Sequence, residues 1–276
     1  MIKWLKIDVM IESQDKPPFF VGSMFRGALG NALKRVVCIN PTYTCEGCFS
    51  AKECLYYQFY EEKNVFHAYR LDIVIQPKSY DFSLYLFEDT VKALPYVLSA
   101  IHKAVEEQGF GKERKTMKIR QMSISNSIVY DGRTFQTLEG IVPNQLKIDN
   151  YCPNLEVEFT MPLRIKENNR FAKESVALHT LINNIHSRYR QLKSEPPARM
   201  DYRVEGEIVE SNLKFVEMQR YSNRQKKGMS MGGLKGTMKI KGIDRKSYEY
   251  LKIGEIIGSG KQTVFGLGSY TMKEMK

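Results

Sequence analysis

One alternating pattern occurs twice in this chain, and that repetition is what most limits the folds open to it. Residues 4–12 put Leu5, Ile7, Val9 and Ile11 on one face and Lys6, Asp8 and Glu12 on the other, the period of a half-buried strand. Residues 155–163 begin again with Leu155, Val157, Phe159, Met161 and Leu163. After the first start, Phe25, Ala28, Leu29, Ala32, Leu33 and Val36 recur at helical spacing. Strand patterns follow at 70–76 and 82–87, then a helix over 90–106 with Asp89 or Thr90 as its cap. Strand-like runs at 116–124 and 127–138, the latter holding an Asp131-Gly132 turn signal, complete the first series.

The second start leads to a helix over 175–193 that Pro196-Pro197 ends, strands near 213–221 and 234–241, a helix capped by Asp244 and a last strand at 264–272. The simplest account is an α+β chain of two tandem ferredoxin-like (RRM-like) βαββαβ domains, each an antiparallel sheet with both helices on one face. The expected domains are 1–150, with a cysteine-rich insertion at about 38–64, and 151–276, with the boundary near Asn150 to Pro153.

Between the last helix and the last strand lies GSGKQTVFGLG, residues 258–268. It is not a Walker loop, because Gln262 follows Lys261 where Ser or Thr must ligate magnesium, and Glu255 stands where the first glycine belongs. Two readings remain. The loop is a tight helix-to-strand connection, or its backbone N–H groups and Lys261 receive successive phosphates. Charge favours the second. The 276 residues carry 42 Lys and Arg against 31 Asp and Glu, a net +11. Residues 214–246 concentrate it, with Arg220, Arg224, Lys226 and Lys227 in a strip whose acids are Glu217 and Asp244. A basic strip beside a glycine loop suits a nucleic-acid backbone.

The opening MIKWLKID has no apolar core of a signal peptide, and no run approaches the ~18 apolar residues of a membrane span. A cytoplasmic chain with reduced cysteines is expected, and no membrane partner. Cys38, Cys45, Cys48 and Cys54 fall as C-x6-C-x2-C-x5-C. The C-x2-C pair suits tetrahedral zinc, so these four are a closed structural zinc site, reduced packing thiols or, occasionally, an iron–sulfur ligand set.

Two ferredoxin-like units ending in G-x-G-x5-G-x-G, together with VGSMFRGALGNALKRVVC at 21–38, LPYVLSAIHKAVEEQGFGKERKTMKI at 94–119 and RYSNRQKKGMSMGGLKG at 220–236, resemble the repeat-associated RNA-binding (RAMP) superfamily of CRISPR systems, specifically its precursor-CRISPR-RNA-processing endoribonucleases. The resemblance implies cleavage of CRISPR repeat RNA without a catalytic metal, by 2′-hydroxyl attack that leaves a 2′,3′-cyclic phosphate and makes guide RNAs for antiviral defence. The alternative it leaves open is a non-catalytic RNA-binding subunit of an RNA-guided effector complex, with effector-complex proteins or a second copy of the chain as further partners. A DNA-binding regulator is disfavoured, since no helix-turn-helix pattern occurs.

The chain departs from the family at its histidines. Residues 22–36 contain none, and Ile257 stands where relatives often place one before the loop. His67, in NVFHAYR, is nearest the family's catalytic region, with Tyr56, Tyr57, Tyr60 and Lys63 upstream as acid, base or charge stabiliser. The catalytic candidates are therefore His67, Tyr57 and Lys63, with His179 and His186, seven apart on the third helix, as alternatives. His102 flanks a core stripe and reads as structural. The RNA-binding candidates are Arg26 and Lys34 on the first helix, the four basic residues of the strip named above, and Gly258, Gly260, Lys261, Gly266 and Gly268.

Overall fold

The computed structural model describes residues 1–111, 113–222 and 227–275, and the chain divides into two compact units. One unit is Lys3–Gln145; the other is Leu146–Lys276 together with Met1–Ile2.

In the first unit, β1 (Lys3–Glu12), α1 (Gly22–Val37), β2 (Tyr69–Asp72), β3 (Phe82–Phe87), α2 (Leu94–His102), β4 (Lys118–Ile124) and β5 (Ser127–Tyr130) follow in order. They form an antiparallel sheet β2-β3-β1-β4-β5, and the short β6 (Asn144–Gln145) pairs with the start of β1. Alternation works as expected along β1: Leu5, Ile7, Val9 and Ile11 are buried. Phe25, Leu29 and Leu33 of α1 and Val97, Leu98 and Ile101 of α2 are buried too, each such side chain contributing about 1.5–3 kcal/mol when fully withdrawn from water. Phe25 meets Phe82 of β3 at 4.5 Å between ring centroids.

The differences from expectation have local causes. The helix expected from residue 90 is a 3₁₀ turn over Glu88–Ala93, and the α-helix starts at Leu94 with Pro95 in its first turn, where a proline loses no helical hydrogen bond. Thr90 donates its hydroxyl to the Ala68 carbonyl (2.9 Å) and caps no α-helix. The run expected at 127–138 stops at Tyr130, because the Asp131 carboxylate accepts the N–H groups of Arg133 and Thr134, both at 2.8 Å, and closes a turn.

In the second unit, β7 (Leu155–Leu163), β8 (Lys166–Glu167), β9 (Arg170–Phe171), α3 (Leu178–Leu192), β10 (Glu207–Ser211), β11 (Lys214–Val216), β12 (Gln219–Ser222), β13 (Lys227–Ser230), β14 (Gly233–Lys241), α4 (Arg245–Ile257) and β15 (Tyr270–Glu274) follow. The sheet order is β10-β14-β7-β15, with β11 also on β14, while β8-β9 and β12-β13 are separate hairpins. In each unit the first strand (β1 or β7) lies between the strand that precedes the second helix (β3 or β14) and the strand that follows it (β4 or β15), the ferredoxin-like order. The Asp244 carboxylate caps α4 by accepting the Ser247 N–H at 2.8 Å. β10 is an edge strand with only Ile208 partly covered, so its sequence carries no alternation that marks a strand. The last strand begins later than the pattern suggests. Residues 263–265 form a 3₁₀ turn, and Gly266 and Gly268 at φ +87° and +72° hold the chain out of the β region until Tyr270. Among the described residues no helix is long and apolar enough to cross a membrane.

Candidate functional site

In the first unit, α1 carries Arg26, Gly30 and Lys34 at four-residue spacing, so they share one face. A Cβ on Gly30 would come within 2.6 Å of the Tyr60 ring, so glycine lets that ring lie against the helix between the two cations. The Arg26 guanidinium sits 4.7 Å from the Tyr60 ring centre and the Lys34 ammonium 4.9 Å from that of Tyr56. Tyr56 and Tyr60 are themselves stacked, 5.3 Å apart and 11° from parallel. Each cation is thereby drawn to a negative ring face.

The tyrosines reach this position through a π turn, Tyr57–Glu61, in which the Glu62 N–H bonds the Tyr57 carbonyl (2.9 Å) five residues back. That register turns the Gln58 carbonyl to a side chain: it lies 2.7 Å from Nδ1 of His67. A carbonyl oxygen only accepts, so Nδ1 carries the proton and the imidazole's basic lone pair is on Nε2. The His67 ring meets Tyr69 at 6.2 Å, and Tyr69 stacks on Phe59 at 4.4 Å and lies 6.0 Å from Tyr60. Burial pushes the Tyr60 phenol well above its ordinary range and raises that of Tyr69, with Arg26 pulling the other way. Both stay neutral at physiological pH, suited to donate a hydrogen bond and not to take a proton.

Of the sequence candidates, His67, Arg26 and Lys34 thus belong to one cluster. Tyr57 opens the π turn and Lys63 is exposed just beyond it. Tyr69 was missed, since in a strand pattern it counts only as core. The alternatives on α3 part company: His179 is exposed, whereas His186 is 6% exposed and set edge-on to Tyr250 at 5.3 Å. Burial, with Arg190 adding to it, lowers the His186 pKa. His102 lies 3.4 Å from the Glu106 carboxylate and edge-on to Tyr130.

The zinc expectation at Cys38, Cys45, Cys48 and Cys54 finds no support in the geometry. Among the described residues no three or more His, Cys, Asp or Glu are gathered as a metal would need. The Cys38 thiol points to the Asn40 carbonyl at 3.8 Å, and burial raises the Cys45 thiol. The residues present do not form the closed thiolate set of a structural zinc site.

In the second unit, Gly258–Gly268 joins α4 to β15 and folds back on its own neighbourhood. Ser259 N–H bonds the Gly268 carbonyl (3.0 Å), Gly260 N–H the Asn184 side-chain oxygen (2.6 Å), Lys261 N–H the Arg164 carbonyl (2.7 Å) and Gly268 N–H the Pro162 carbonyl (3.0 Å). Gly266 N–H bonds the Thr263 carbonyl at 2.9 Å. The N–H groups of Ser259, Gly260, Lys261, Gly266 and Gly268 therefore have partners inside the protein, which leaves fewer backbone donors for successive phosphates than the glycine pattern suggests. The glycines serve conformation. Gly258, Gly260, Gly266 and Gly268 all have positive φ, and a Cβ on Gly268 would collide with the Ser259 carbonyl oxygen. The Lys261 side chain is exposed at the bend. Arg220 lays its guanidinium 4.6 Å from the Phe265 ring centre, tying the β12-β13 hairpin to the loop. Arg224 and Lys226 lie outside the described residues, and Lys227 pairs with Ser222 across the hairpin.

Two ferredoxin-like sheets, a terminal loop built on left-handed glycines and a basic hairpin beside it give the chain the fold of RAMP proteins. Residues 157–270 match the model of the CRISPR-associated endoribonuclease Cas6. Solved structures with the same fold include a Cas6 product complex (TM-score 0.58, 15% identity, 99% of each chain), Thermus thermophilus Cas6 (0.57, 12%, 99% of each chain) and a Cas6-related gene product of Pyrococcus furiosus (0.55, 13%, 99% of this chain and 100% of that one). At those identities the likeness establishes the fold. The second unit thus resembles a Cas6 endoribonuclease domain over residues 157–270, and the whole chain shares the fold of Cas6 and RAMP proteins. More narrowly, residues 2–140 match the AF_1859 N-terminal domain model, and the chain belongs to that family. It is 28% identical over 293 residues to an uncharacterized protein of Archaeoglobus fulgidus, covering 98% of this chain and 96% of the relative.

Proposed function

We propose that this chain cuts CRISPR repeat RNA by metal-independent transesterification, with His67 as the general base. The observation that carries the reading is the 2.7 Å bond between His67 Nδ1 and the Gln58 carbonyl, which leaves the basic site on Nε2, within a cluster whose cations are Arg26 and Lys34. His67 takes the proton of a 2′-hydroxyl, and that oxygen attacks the adjacent phosphorus. The P–O5′ bond breaks, and the leaving oxygen takes a proton from a donor for which the exposed Lys63 is the candidate, with Tyr57 the other. Arg26 and Lys34 offset the charge that builds on the phosphoryl oxygens. The products are a 2′,3′-cyclic phosphate and a 5′-hydroxyl. Only RNA supplies the nucleophile.

The test is incubation with the repeat RNA of the chain's own locus in EDTA, beside a copy with a 2′-deoxy substitution at the cut site. One cut in the first and none in the second is the expected result. Cutting that requires added metal sinks the mechanism. Tight binding with both RNAs intact identifies the chain as a non-catalytic subunit instead.

A further inference from the structure

Next to the glycine loop the second unit carries a feature with no part in the reading above, the small hairpin β8-β9. Lys166 pairs across it with Phe171 and Glu167 with Arg170, and the turn residues Asn168 and Asn169 both have positive φ, +47° and +63°. Two left-handed central residues make the tight turn whose twist matches the strands. Such a hairpin is too short to add much to a core. What it holds is an aromatic ring with two cations near it. The Arg164 guanidinium lies 3.7 Å from the Phe171 ring centre and the Lys166 ammonium 5.3 Å from it.

Arg164 is fixed from three sides. Its Nη1 donates to the Gly232 carbonyl (2.9 Å), its own carbonyl accepts the Lys261 N–H (2.7 Å), and its plane rests on Phe171. Gly232 in turn has no room for a side chain, because a Cβ there would lie 2.7 Å from the Phe215 ring, which continues the row. Lys173 stands 5.9 Å from the centre of that second ring. Phe171 and Phe215 are half-buried, and Lys166 and Lys173 are exposed. Of the acids nearby, Glu167 accepts the Ala177 N–H (2.9 Å), and Glu217 is the carboxylate whose charge reaches Arg164.

We propose that Phe171 and Phe215, with Arg164, Lys166 and Lys173, form a binding platform for unpaired nucleotides of the RNA. Bases stack on the two rings, and the cations meet the phosphates between them. The inference rests on the reading that the chain binds RNA, and adds a place and a mode of recognition to it. Rings alternating with cations suit a single strand, because each unpaired base offers a π face, whereas an A-form duplex hides its base faces and presents only phosphates and 2′-hydroxyls. Holding Arg164 flat before the ligand arrives removes most of the ordering cost of that contact.

The experiment measures binding of the full chain by fluorescence anisotropy to an unstructured oligoadenylate of about ten nucleotides and to a blunt RNA duplex, using Phe171→Leu, Phe215→Leu and Phe171→Tyr. Leucine keeps the apolar bulk and removes the π face, and each leucine variant is expected to weaken single-strand binding about five- to a hundred-fold. Duplex affinity should stay unchanged, and Phe171→Tyr should bind as the parent does. Parent-like single-strand affinity in both leucine variants overturns the platform. So does equal loss on strand and duplex, which points to fold or bulk charge. Failure of the parent chain to bind its own repeat RNA is a different result and removes the function proposed above, so the two failures are distinguishable.

Discussion

The π turn at Tyr57–Glu61 and the glycine loop at Gly258–Gly268 are both irregular backbone, yet they use their polar groups in opposite ways. The glycine loop turns polar groups inward: the N–H groups of Ser259, Gly260, Lys261, Gly266 and Gly268 end on Gly268, Asn184, Arg164, Thr263 and Pro162. The π turn does the reverse, directing the Gln58 carbonyl to the His67 imidazole. Glycine-rich character is therefore no guide to which stretch carries chemistry. In the loop the glycines let the backbone pass close to other backbone, and the turn acts through a change of helical register in a segment of Tyr and Gln.

His67→Ala is the sharpest way to break this contrast, because the π turn then has a carbonyl with nothing to orient. Cleavage of repeat RNA should fall by about 10²–10⁴-fold, the usual worth of a general base, with binding of intact RNA retained. A variant that still cuts at the parent rate returns the chemistry to other residues and leaves the π turn as packing alone.

Gly268→Ala asks whether the loop is as closed as its hydrogen bonds imply. The new Cβ would collide with the Ser259 carbonyl at a residue held at φ +72°. A loss of about 3 kcal/mol or more is expected, read as a fall in Tm. A variant as stable as the parent would mean that the loop is free to move and that its internal bonds are weak.

Acid tests the same half of the contrast through α3, which supplies Asn184 to the loop and buries His186 two residues on. Burial lowers the His186 pKa, with Arg190 and Lys246 opposing its charge and Asp201 and Glu195 favouring it. Protonation is thus easier in the unfolded chain. Stability from the neutral ring is present above the ordinary histidine pKa and is lost as pH falls through the lowered folded-state value. The expected signature is a fall in Tm between neutral and mildly acidic pH, a fall that His186→Leu removes. An equal drop in His186→Leu assigns the effect to other groups.

Periodicity made the two sheets legible because each first strand alternates without interruption, and burial along Leu5–Ile11 and Leu155–Leu163 follows that alternation. Elements without a buried face were not: β10 lies exposed at an edge, and β8-β9 depends on two asparagines entering a left-handed turn, which no hydrophobic pattern signals. The reaction cluster was half legible. His67, Arg26 and Lys34 stand out by residue type, but Gly30 as the seat of the Tyr60 ring, and Gln58 as the histidine's partner, depend on a π register that sequence spacing does not encode. The cysteines show the converse. Their spacing suggests a metal, while the fold sends the Cys38 thiol to a carbonyl.

Lys261→Ala is the smallest change and the one that sharpens the contrast most. With the N–H groups of Gly258, Gly260, Lys261, Gly266 and Gly268 engaged inside the protein, the loop's charge lies on Lys261, the exposed cation at its bend. If the side chain meets one phosphate, its loss should lower repeat-RNA affinity a few-fold and reduce the slope of log K against log salt by about one, without shifting the cut site. A loop that still used backbone donors would lose little, because the main chain is the same in the variant. Equal affinity and equal slope across a salt series would show that the loop makes no phosphate contact through Lys261. The glycines would then act purely as the joint that lets α4 return to β15.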